Sequence, residues 1–248
     1  MISSERGSLL GAGKEAEVYE YGELVLKLWK VGASKAAAFR EAATLAILEN
    51  LGVNAPRVRS VGEFEGRWGL VMTRVEGRTF GEAIAQKPLQ ALAHLNVLAA
   101  THRKIHEHSG VGLPALKSRL HRDIECAVQL NEGQRQHLLS GLHRLPDGDR
   151  LCHGDFHPWN VLGSLERATV IDWLDACCGD PLADVCRSYV LIHSYDNGLA
   201  AAYLNAYGDE NRAAILGWLP YVAAARLSEG VSDEADDLMR MTGCSSPD

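Results

Sequence analysis

The 248-residue sequence lacks several features that mark secreted, membrane and nucleic-acid-binding proteins. Its six cysteines include no CxxC pair and show no regular spacing, which excludes a disulfide scaffold. No segment reaches the roughly 18 consecutive apolar residues of a membrane span, and the start MISSERGSLL is unlike a signal peptide. No basic stripe occurs, and the net charge of −7 disfavours nucleic-acid and anionic-membrane partners. We therefore expect a cytoplasmic protein with reduced thiols.

Acidic residues are concentrated in the C-terminal segment 229–248, which holds a single basic residue, Arg240. One interpretation is a solvated chain end. The other is an acidic rim that favours a cationic substrate. The acidic residues of this segment are Glu229, Asp233, Glu234, Asp236, Asp237 and Asp248.

The order of the predicted elements indicates an α+β protein with two lobes. Residues 1–75 alternate short β-rich runs with turn signals and contain one helical stretch, 34–50, with Ser34 as its N-cap. Residues 76–248 are mainly helical, with apolar residues three and four positions apart. Predicted helices cover 89–108, 115–130, 132–144 and the stretch from Pro181 to about residue 228. We expect a small antiparallel sheet with one helix, joined near residue 76 to a larger helical lobe.

A glycine-rich turn, GAGKEAEV, lies between two predicted strands at residues 11–18. Glycines allow backbone amides to come close to an anion, so the turn suits a loop over phosphates. A plain hairpin turn is the alternative. The turn is not a dinucleotide fingerprint, since a strand follows it, and it is not a P-loop, since it lacks GK[ST].

Lys27 and Glu41 follow this turn along the chain, and their order is more informative than either residue alone. Lys27 lies in the strand LVLKLW, where alternation alone would leave it facing solvent. Glu41 lies in the middle of the predicted helix, where a glutamate is usually solvated. The succession of glycine loop, strand lysine and helix glutamate is what favours a role in anion binding.

The stretch LCHGDFHPWNVL, residues 151–162, places many polar side chains between apolar runs and is followed by VIDW at 170–173. Asp155 and Asn160 lie five residues apart, and Asp172 follows an apolar strand. Buried carboxylates are stable only when they are paired or bind a metal. Carboxylate and amide oxygens are the ligands that Mg²⁺ prefers. The sequence therefore predicts that these three residues meet at a magnesium site.

The motif HGDFHPWN followed by IDW resembles the aminoglycoside phosphotransferase and choline-kinase-like family, which is related to the protein kinases. The resemblance extends from the glycine loop to GDPLAD, over nearly the whole chain. It implies a protein-kinase-like two-lobe α+β fold. It also implies transfer of the γ-phosphate of ATP to a hydroxyl group of a small molecule, with GTP as an open alternative donor.

The resemblance also implies roles for individual residues. Asp155 matches the catalytic base, Asn160 and Asp172 match the Mg²⁺ ligands, and Lys27 matches the phosphate-binding lysine with Glu41 as its ion-pair partner. His153 and Asp184 match residues that shape the catalytic loop. The expected nucleotide-binding positions are Gly11, Ala12, Gly13 and Val18 in the loop, and Met72, Thr73, Arg74 and Val75 in the hinge.

Several departures from the protein-kinase pattern disfavour a protein substrate. Ala16 replaces the third loop glycine, HGD replaces the arginine-containing triplet, DWL replaces DFG, and no APE motif follows. The acceptor stays open among aminoglycoside-like antibiotics, amino alcohols, sugars and nucleosides. Asp175 and the acidic segment after Glu229 make a cationic acceptor one of the options. A catalytically silent nucleotide-binding module is the alternative to an enzyme, and the oligomeric state is open.

Three other side chains permit more than one interpretation. His102 and His106 are one helical turn apart, a spacing that suits zinc, but neighbouring apolar residues on the same face favour hydrogen-bonded core histidines. Trp159 precedes Asn160 and could line the substrate site or pack in the core.

Overall fold

The computed structural model describes residues 6–244, so residues 1–5 and Asp248 of the acidic segment lie outside the described residues. The chain divides into two compact units. The first unit comprises the chain up to Thr79 together with Val161–Leu174, and the second comprises Phe80–Asn160 and the chain from Asp175 onward. A single boundary near residue 75 would leave Val161–Leu174 with the helical lobe, whereas this segment is part of the first unit.

The structure contains short strands and medium-length helices, separated by turns. The strands are β1 Leu9–Ala12, β2 Ala16–Tyr21, β3 Leu24–Trp29, β4 Val58–Phe64, β5 Arg67–Thr73, β6 Arg150–Cys152, β7 Val161–Gly163, β8 Ala168–Val170 and β9 Cys177–Gly179. The helices are α1 Lys35–Leu51, α2 Phe80–Gln86, α3 Ala91–His106, α4 Leu116–Cys126, α5 Glu132–His143, α6 Pro181–His193, α7 Asn197–Gly208, α8 Arg212–Leu216, α9 Leu219–Leu227 and α10 Ala235–Met241. Single 3₁₀ turns occur at Pro88–Gln90, Pro158–Asn160, Asp209–Asn211 and Ser232–Glu234.

The first unit is built on an antiparallel sheet in the order β1-β2-β3-β5-β4, with α1 packed on β4 and β5. The predicted helix is confirmed to within one residue at each end. The Ser34 side chain accepts a hydrogen bond from the Ala36 amide, and Gly52 ends α1 in the left-handed conformation at φ 74°. Leu26, Leu28 and Val71 form a buried cluster within the sheet.

The segment Val161–Leu174 joins the first unit through backbone contacts. Its β7–β8 hairpin is held where the Gly163 amide donates to the Arg78 carbonyl at 3.0 Å and the Asn54 side chain donates to the Ala168 carbonyl at 2.8 Å. Gly77 has φ 109°, and a Cβ there would lie 2.9 Å from the Gly163 Cα. Glycine is therefore required for the chain to pass so close. This attachment places Asp172 in the same unit as Lys27.

The second unit is a set of packed helices with a two-stranded ladder of β6 and β9. The main helix pairs are α3 with α7, α6 with α7, and α4 with α9. Asp180 caps α6 by accepting a hydrogen bond from the Leu182 amide at 2.8 Å, and Pro181 occupies the first helical position, as the sequence predicts. None of the helices within residues 6–244 is long and apolar enough to cross a membrane.

The C-terminal acidic segment is folded where the structure describes it, which argues against the interpretation as a solvated chain end. Helix α10 packs on α9, and Leu238 is 2% exposed. Two of the acidic side chains, Glu229 and Glu234, form ion pairs with Arg226. A single buried leucine in a mostly charged stretch gives too weak a periodic signal to predict this short helix.

Trp159 has a packing role within the second unit. Its indole lies against Gly81 of α2, and its ring is 4.5 Å from the Tyr195 ring in an edge-to-face arrangement. A Cβ at Gly81 would lie 2.5 Å from an indole carbon, so only glycine fits at this point of α2. The contact fixes the residue that directly precedes Asn160.

We predict that Gly81→Ala destabilises the protein by roughly 1–3 kcal/mol, because overpacking against Trp159 outweighs the better helix propensity of alanine. Gly133→Ala in α5 is the matched control. A Cβ there meets only ordinary contacts, so this variant should gain up to about 1 kcal/mol. Urea unfolding of both variants measures the difference, and equal effects would contradict the packing role of Trp159.

Candidate active site

Lys27 of the first unit lies between two carboxylates. Its Nζ atom donates to Glu41 Oε1 at 2.9 Å and to Asp172 Oδ1 at 2.7 Å. The side chains of Lys27 and Glu41 are 9% and 1% exposed, whereas that of Asp172 is 44% exposed. Strand alternation alone would leave Lys27 facing solvent, whereas the lysine lies in a central strand of the sheet and faces these two acids.

The backbone of the first unit explains how these three side chains meet. Lys27 is opposite Val18 of β2 and Leu70 of β5 in the sheet, and Glu41 is a buried residue of α1. Asp172 follows β8 and has φ 61°, a left-handed conformation that aspartate adopts more readily than most residues. The Trp173 indole stabilises this turn by donating to the Val170 carbonyl at 3.0 Å.

The charge on Lys27 is stabilised by its surroundings. Burial by itself lowers the pKa of Lys27, but the carboxylates of Glu41 and Asp172 raise the pKa above its ordinary value. The ammonium group therefore persists at neutral pH. Two carboxylates around one ammonium leave an excess negative charge, and the half-exposed Asp172 is the member of the group that a further cation can reach.

The positions expected to bind nucleotide lie at two places in the first unit. Gly11 and Ala12 end β1, Val18 lies in β2, and the Gly13 amide donates to the Ala16 carbonyl at 2.8 Å, which closes an exposed hairpin turn. The hinge positions begin at the end of β5, with Met72 and Thr73 inside the strand and Arg74 and Val75 directly after it. Arg74 pairs with Glu20 at 2.9 Å and with Glu76 at 3.0 Å.

Asp155 and Asn160 lie in a loop of the second unit between β6 and β7. The Asn160 Nδ2 atom donates to the Asp155 carbonyl at 2.9 Å and to Asp155 Oδ2 at 3.2 Å. His157 Nε2 lies 3.5 Å from the same carboxylate oxygen. These bonds use the amide nitrogen of Asn160, so its amide oxygen is the atom that suits a cation. The loop thus holds an oriented carboxylate beside a neutral oxygen donor.

Asp155 is ionised at neutral pH. Burial favours a higher pKa for Asp155, but a hydrogen bond from His157 and the positive charge of Arg187 hold the pKa well below its usual range. A carboxylate in this state accepts a hydrogen bond from a hydroxyl group and orients it. It takes up the proton only when the hydroxyl becomes acidic, late in a transfer reaction.

The loop is anchored from beneath by Asp184 of α6, which is fully buried. Asp184 accepts hydrogen bonds from the backbone amides of His153 at 2.6 Å and Gly154 at 2.8 Å. The Asp155 amide in turn donates to His153 Nδ1 at 3.2 Å. These contacts fix the backbone that leads up to the Asp155 side chain.

His102 and His106 of α3 complete the surroundings of Asp184, and both are buried as the sequence pattern predicts. Their Nε2 atoms lie 2.9 and 3.2 Å from Asp184 Oδ2, while their Nδ1 atoms lie 2.7 and 2.9 Å from the hydroxyls of Tyr203 and Tyr207. If each Nε2 donates and each Nδ1 accepts, every polar atom of the pair is satisfied without a metal ion. The arrangement is therefore a hydrogen-bond network that supports the loop carrying Asp155.

Two arginines near the loop carrying Asp155 were not predicted from the sequence. Arg187 of α6 lies 3.6 Å from Asp155 Oδ1, and Arg119 of α4 donates to the Asp175 carbonyl at 2.7 Å. Arg187 follows Asp184 by three residues, so both lie on the same face of α6. That spacing was a usable signal for Arg187. Nothing in the local pattern around Arg119 distinguishes it from a surface residue.

The sequence matches the phosphotransferase enzyme family over residues 7–218, well over half of the chain. The chain belongs to this family. It is therefore a phosphotransferase of the class that acts on small-molecule hydroxyl groups. Among curated protein sequences, none matches the chain.

Solved structures similar to this phosphotransferase share its fold at low sequence identity. A thermostable mutant of aminoglycoside phosphotransferase APH(4)-Ia, in complex with ADP and hygromycin B, has a TM-score of 0.70 at 18% identity, covering 97% of this chain and 91% of that chain. A choline/ethanolamine kinase family protein from Mesorhizobium loti has a TM-score of 0.64 at 18% identity, covering 98% and 85%. Aminoglycoside phosphotransferase APH(3'')-Id from Streptomyces rimosus has a TM-score of 0.60 at 19% identity, covering 92% and 93%. The kinase-like α+β fold predicted from the sequence is confirmed.

The buried histidines lead to a prediction about stability and pH. Burial and the neighbouring His106 lower the pKa of His102 to about 3, against the opposing effect of Asp184, whereas an unfolded histidine has a pKa of about 6.5. Between these values the unfolded state binds the extra proton. The free energy of unfolding should therefore fall as the pH decreases from about 6.5, by up to about 1.4 kcal/mol per pH unit.

Urea titrations at neutral and at mildly acidic pH measure this slope. His102→Gln should make the slope shallower, while the same change at His121, which is half exposed on α4, should leave it unaltered. Equal slopes in the wild type and His102→Gln would show that His102 is not held neutral in the folded protein.

Proposed function

We propose that this phosphotransferase transfers the γ-phosphate of ATP to a hydroxyl group of a small molecule, with Asp155 as the catalytic base. The observation that carries the proposal is the contact of buried Lys27 with both Glu41 and Asp172. A buried lysine held by two acids, one of them accessible, is suited to binding phosphate oxygens next to a metal ion. The family match supplies the reaction class.

Nucleotide binding is proposed for the first unit. The exposed turn around Gly11, Ala12 and Gly13, with Val18 beyond it, would cover the phosphates, and the backbone of Met72–Val75 would pair with the base. The Thr73 amide donates to the Arg57 carbonyl and the Thr73 hydroxyl accepts from the Arg57 amide, each at 2.9 Å, and Arg74 and Val75 follow the end of the strand. The similar APH(4)-Ia structure is a complex with ADP, which supports an adenine nucleotide here. GTP stays open as a second donor.

Asn160 and Asp172 are the proposed Mg²⁺ ligands. The donor set fits, because an amide oxygen and a half-exposed carboxylate are hard oxygen donors of the kind Mg²⁺ prefers beside phosphates and water. When bound, Mg²⁺ neutralises negative charge on the phosphate oxygens. Lys27 would contact the α- and β-phosphates, with Glu41 holding its ammonium group in place.

Asp155 is proposed to orient the acceptor hydroxyl and to take its proton as the new bond forms. Phosphoryl transfer proceeds through a loose transition state, so positioning and charge neutralisation account for most of the catalysis. The depressed pKa of Asp155 suits this role, since orientation needs a stable carboxylate more than a strong base. Asp184 and His153 keep the loop in the conformation that aims Asp155.

The proposed acceptor is an aminoglycoside-like antibiotic, an amino alcohol, a sugar or a nucleoside. Similar structures are complexes with hygromycin B or streptomycin, and one is a choline/ethanolamine kinase family protein. Aminoglycosides, amino alcohols, sugars and nucleosides all offer a hydroxyl for transfer. A screen for acceptor-dependent ADP release over these classes identifies the substrate.

We predict that MgATP raises the melting temperature of the wild type, because a ligand that binds only the folded state adds to stability, by about 2.7 kcal/mol at a concentration 100 times its Kd. Asp172→Ala should reduce this shift. Glu166→Ala removes an exposed acid from the β7–β8 turn of the same unit and serves as the charge-matched control. Differential scanning fluorimetry measures the shifts, and the absence of a shift with either ATP or GTP would refute the proposed function.

We predict that Asp155→Asn keeps MgATP binding and loses at least about a hundredfold in turnover, as expected for a lost general base. The control Asp147→Asn changes an exposed acid of the same unit and should be neutral. Both variants are measured by acceptor-dependent ADP release. Normal turnover in Asp155→Asn would remove Asp155 from the proposed role, and MgATP binding without any phosphoryl transfer in the wild type would indicate a catalytically silent module.

A further inference from the structure

Asp155 is the first member of a chain of alternating charges in the second unit. The Nη2 atom of Arg187 lies 3.6 Å from Asp155 Oδ1 and 2.7 Å from Glu229 Oε1. The Nη1 atom of Arg226 lies 2.5 Å from Glu229 Oε2, and its Nε and Nη2 atoms donate to both oxygens of Glu234 at 3.0 and 2.8 Å. We call these five residues the carboxylate–arginine chain. Each of its three carboxylates has an arginine beside it.

The two arginines of the carboxylate–arginine chain are largely buried, so replacing their carboxylate partners is unfavourable. The side chains of Arg187 and Arg226 are 11% and 13% exposed. Burial by itself lowers the pKa of Arg226, but Glu234 and Glu229 raise it above its ordinary value. A cationic ligand that took Glu229 from Arg187 would leave this buried guanidinium with only the longer 3.6 Å contact to Asp155, which is unfavourable.

Asp175, the other acid considered for binding a cation, is also beside an arginine. Arg119 donates to its carbonyl at 2.7 Å and lies 3.8 Å from its carboxylate oxygen. The side chain of Arg119 is 17% exposed. Three arginines, from α4, α6 and α9, thus lie beside these four acids and offset most of their negative charge, and the guanidinium beside Asp155 is that of Arg187.

We infer that Arg187 determines the charge class of the acceptor, and that the group carrying the reacting hydroxyl is neutral or anionic and not an ammonium compound. The inference rests on the proposed function, in which Asp155 contacts that hydroxyl. An ammonium group beside the hydroxyl would be repelled by the positive charge of Arg187. Each of the acids just described already has an arginine beside it, so none of them is free to compensate the ammonium charge. A sugar, a nucleoside or a hydroxy acid meets no such repulsion, and a carboxylate or phosphate on the acceptor would be attracted to the guanidinium.

The test measures binding of a polycation to the full chain by calorimetry at low ionic strength, in the presence of Mg²⁺ and a non-hydrolysable ATP analogue. Streptomycin is the polycationic probe and the neutral trisaccharide raffinose is its uncharged counterpart. Arg187→Met exposes Asp155 and Glu229 to the ligand and should bind streptomycin at least roughly tenfold more tightly than the wild type, since close charge pairs dominate such differences. Raffinose binding should not change in the same direction.

Two variants control for the removal of an arginine. Arg187→Lys keeps the charge and should show no gain. Arg240→Met frees the exposed Asp237 of α10, which pairs with Arg240, and should also show no gain. If Arg187→Met fails to fold, as judged by its melting curve, Arg187→Gln takes its place in the same comparison.

The inference is overturned if the wild type binds streptomycin as tightly as the neutral variant, or if Arg187→Lys gains as much as Arg187→Met. The MgATP-dependent rise in melting temperature is recorded on the same wild-type sample. Loss of that rise contradicts the proposed function, whereas the streptomycin comparison alone decides the role of Arg187, so the two failures are distinguishable.

Discussion

The second unit depends on one buried carboxylate, Asp184. A fully buried charge is stable only when hydrogen-bond donors compensate for the lost water. Asp184 has four such donors, two backbone amides of the catalytic loop and two histidines of α3. Because these donors come from separate elements, α3, α6 and the loop after β6 must come together for the carboxylate to be satisfied. The position of Asp155 is thereby tied to the packing of the helices.

In the first unit the buried charge is a cation, and it is compensated by acids in the same way. Buried Lys27 requires acids around it, and these come from α1 and from the turn after β8. The segment Val161–Leu174 belongs to this unit through its contacts near Gly77 and Asn54. Of the two proposed metal ligands, Asp172 therefore belongs to the first unit and Asn160 to the second. Each of them is held by the hydrogen bonds of its own unit.

The elements with a long periodic signal were predictable from the sequence. The helix beginning after Ser34 and the cap at Asp180 followed known rules, and the motif around Asp155 indicated both the fold and the family. The strands β7 and β9 were not predicted, because a strand of three residues is too short to show a periodic pattern. The contact of Lys27 with Asp172 was not predicted, since it joins residues 145 apart in sequence. The roles of the individual site residues remain predictions from the motif and from the geometry.

Arginines beside Asp155 and Asp175 offset much of the negative charge around the loop that holds Asp155. The similar structures that contain hygromycin B or streptomycin share the fold at 17–18% identity, a level at which the substrate pocket is free to differ. The spacing from Asp184 places Arg187 on the same face of α6, but its contact with Glu229, which is distant in sequence, has no local signal. In the proposed function, the nearness of Arg187 to Asp155 would connect the packing of α6 with the choice of acceptor.

The central claim is that Asn160 and Asp172 bind one divalent ion together with the nucleotide. Mn²⁺ prefers the same oxygen ligands as Mg²⁺ and is detectable by electron paramagnetic resonance. A titration of Mn²⁺ in the presence of ADP tests the claim most directly. The account predicts tight binding to the wild type and clearly weaker binding to both Asn160→Ala and Asp172→Ala. Unchanged Mn²⁺ affinity in either variant would contradict it.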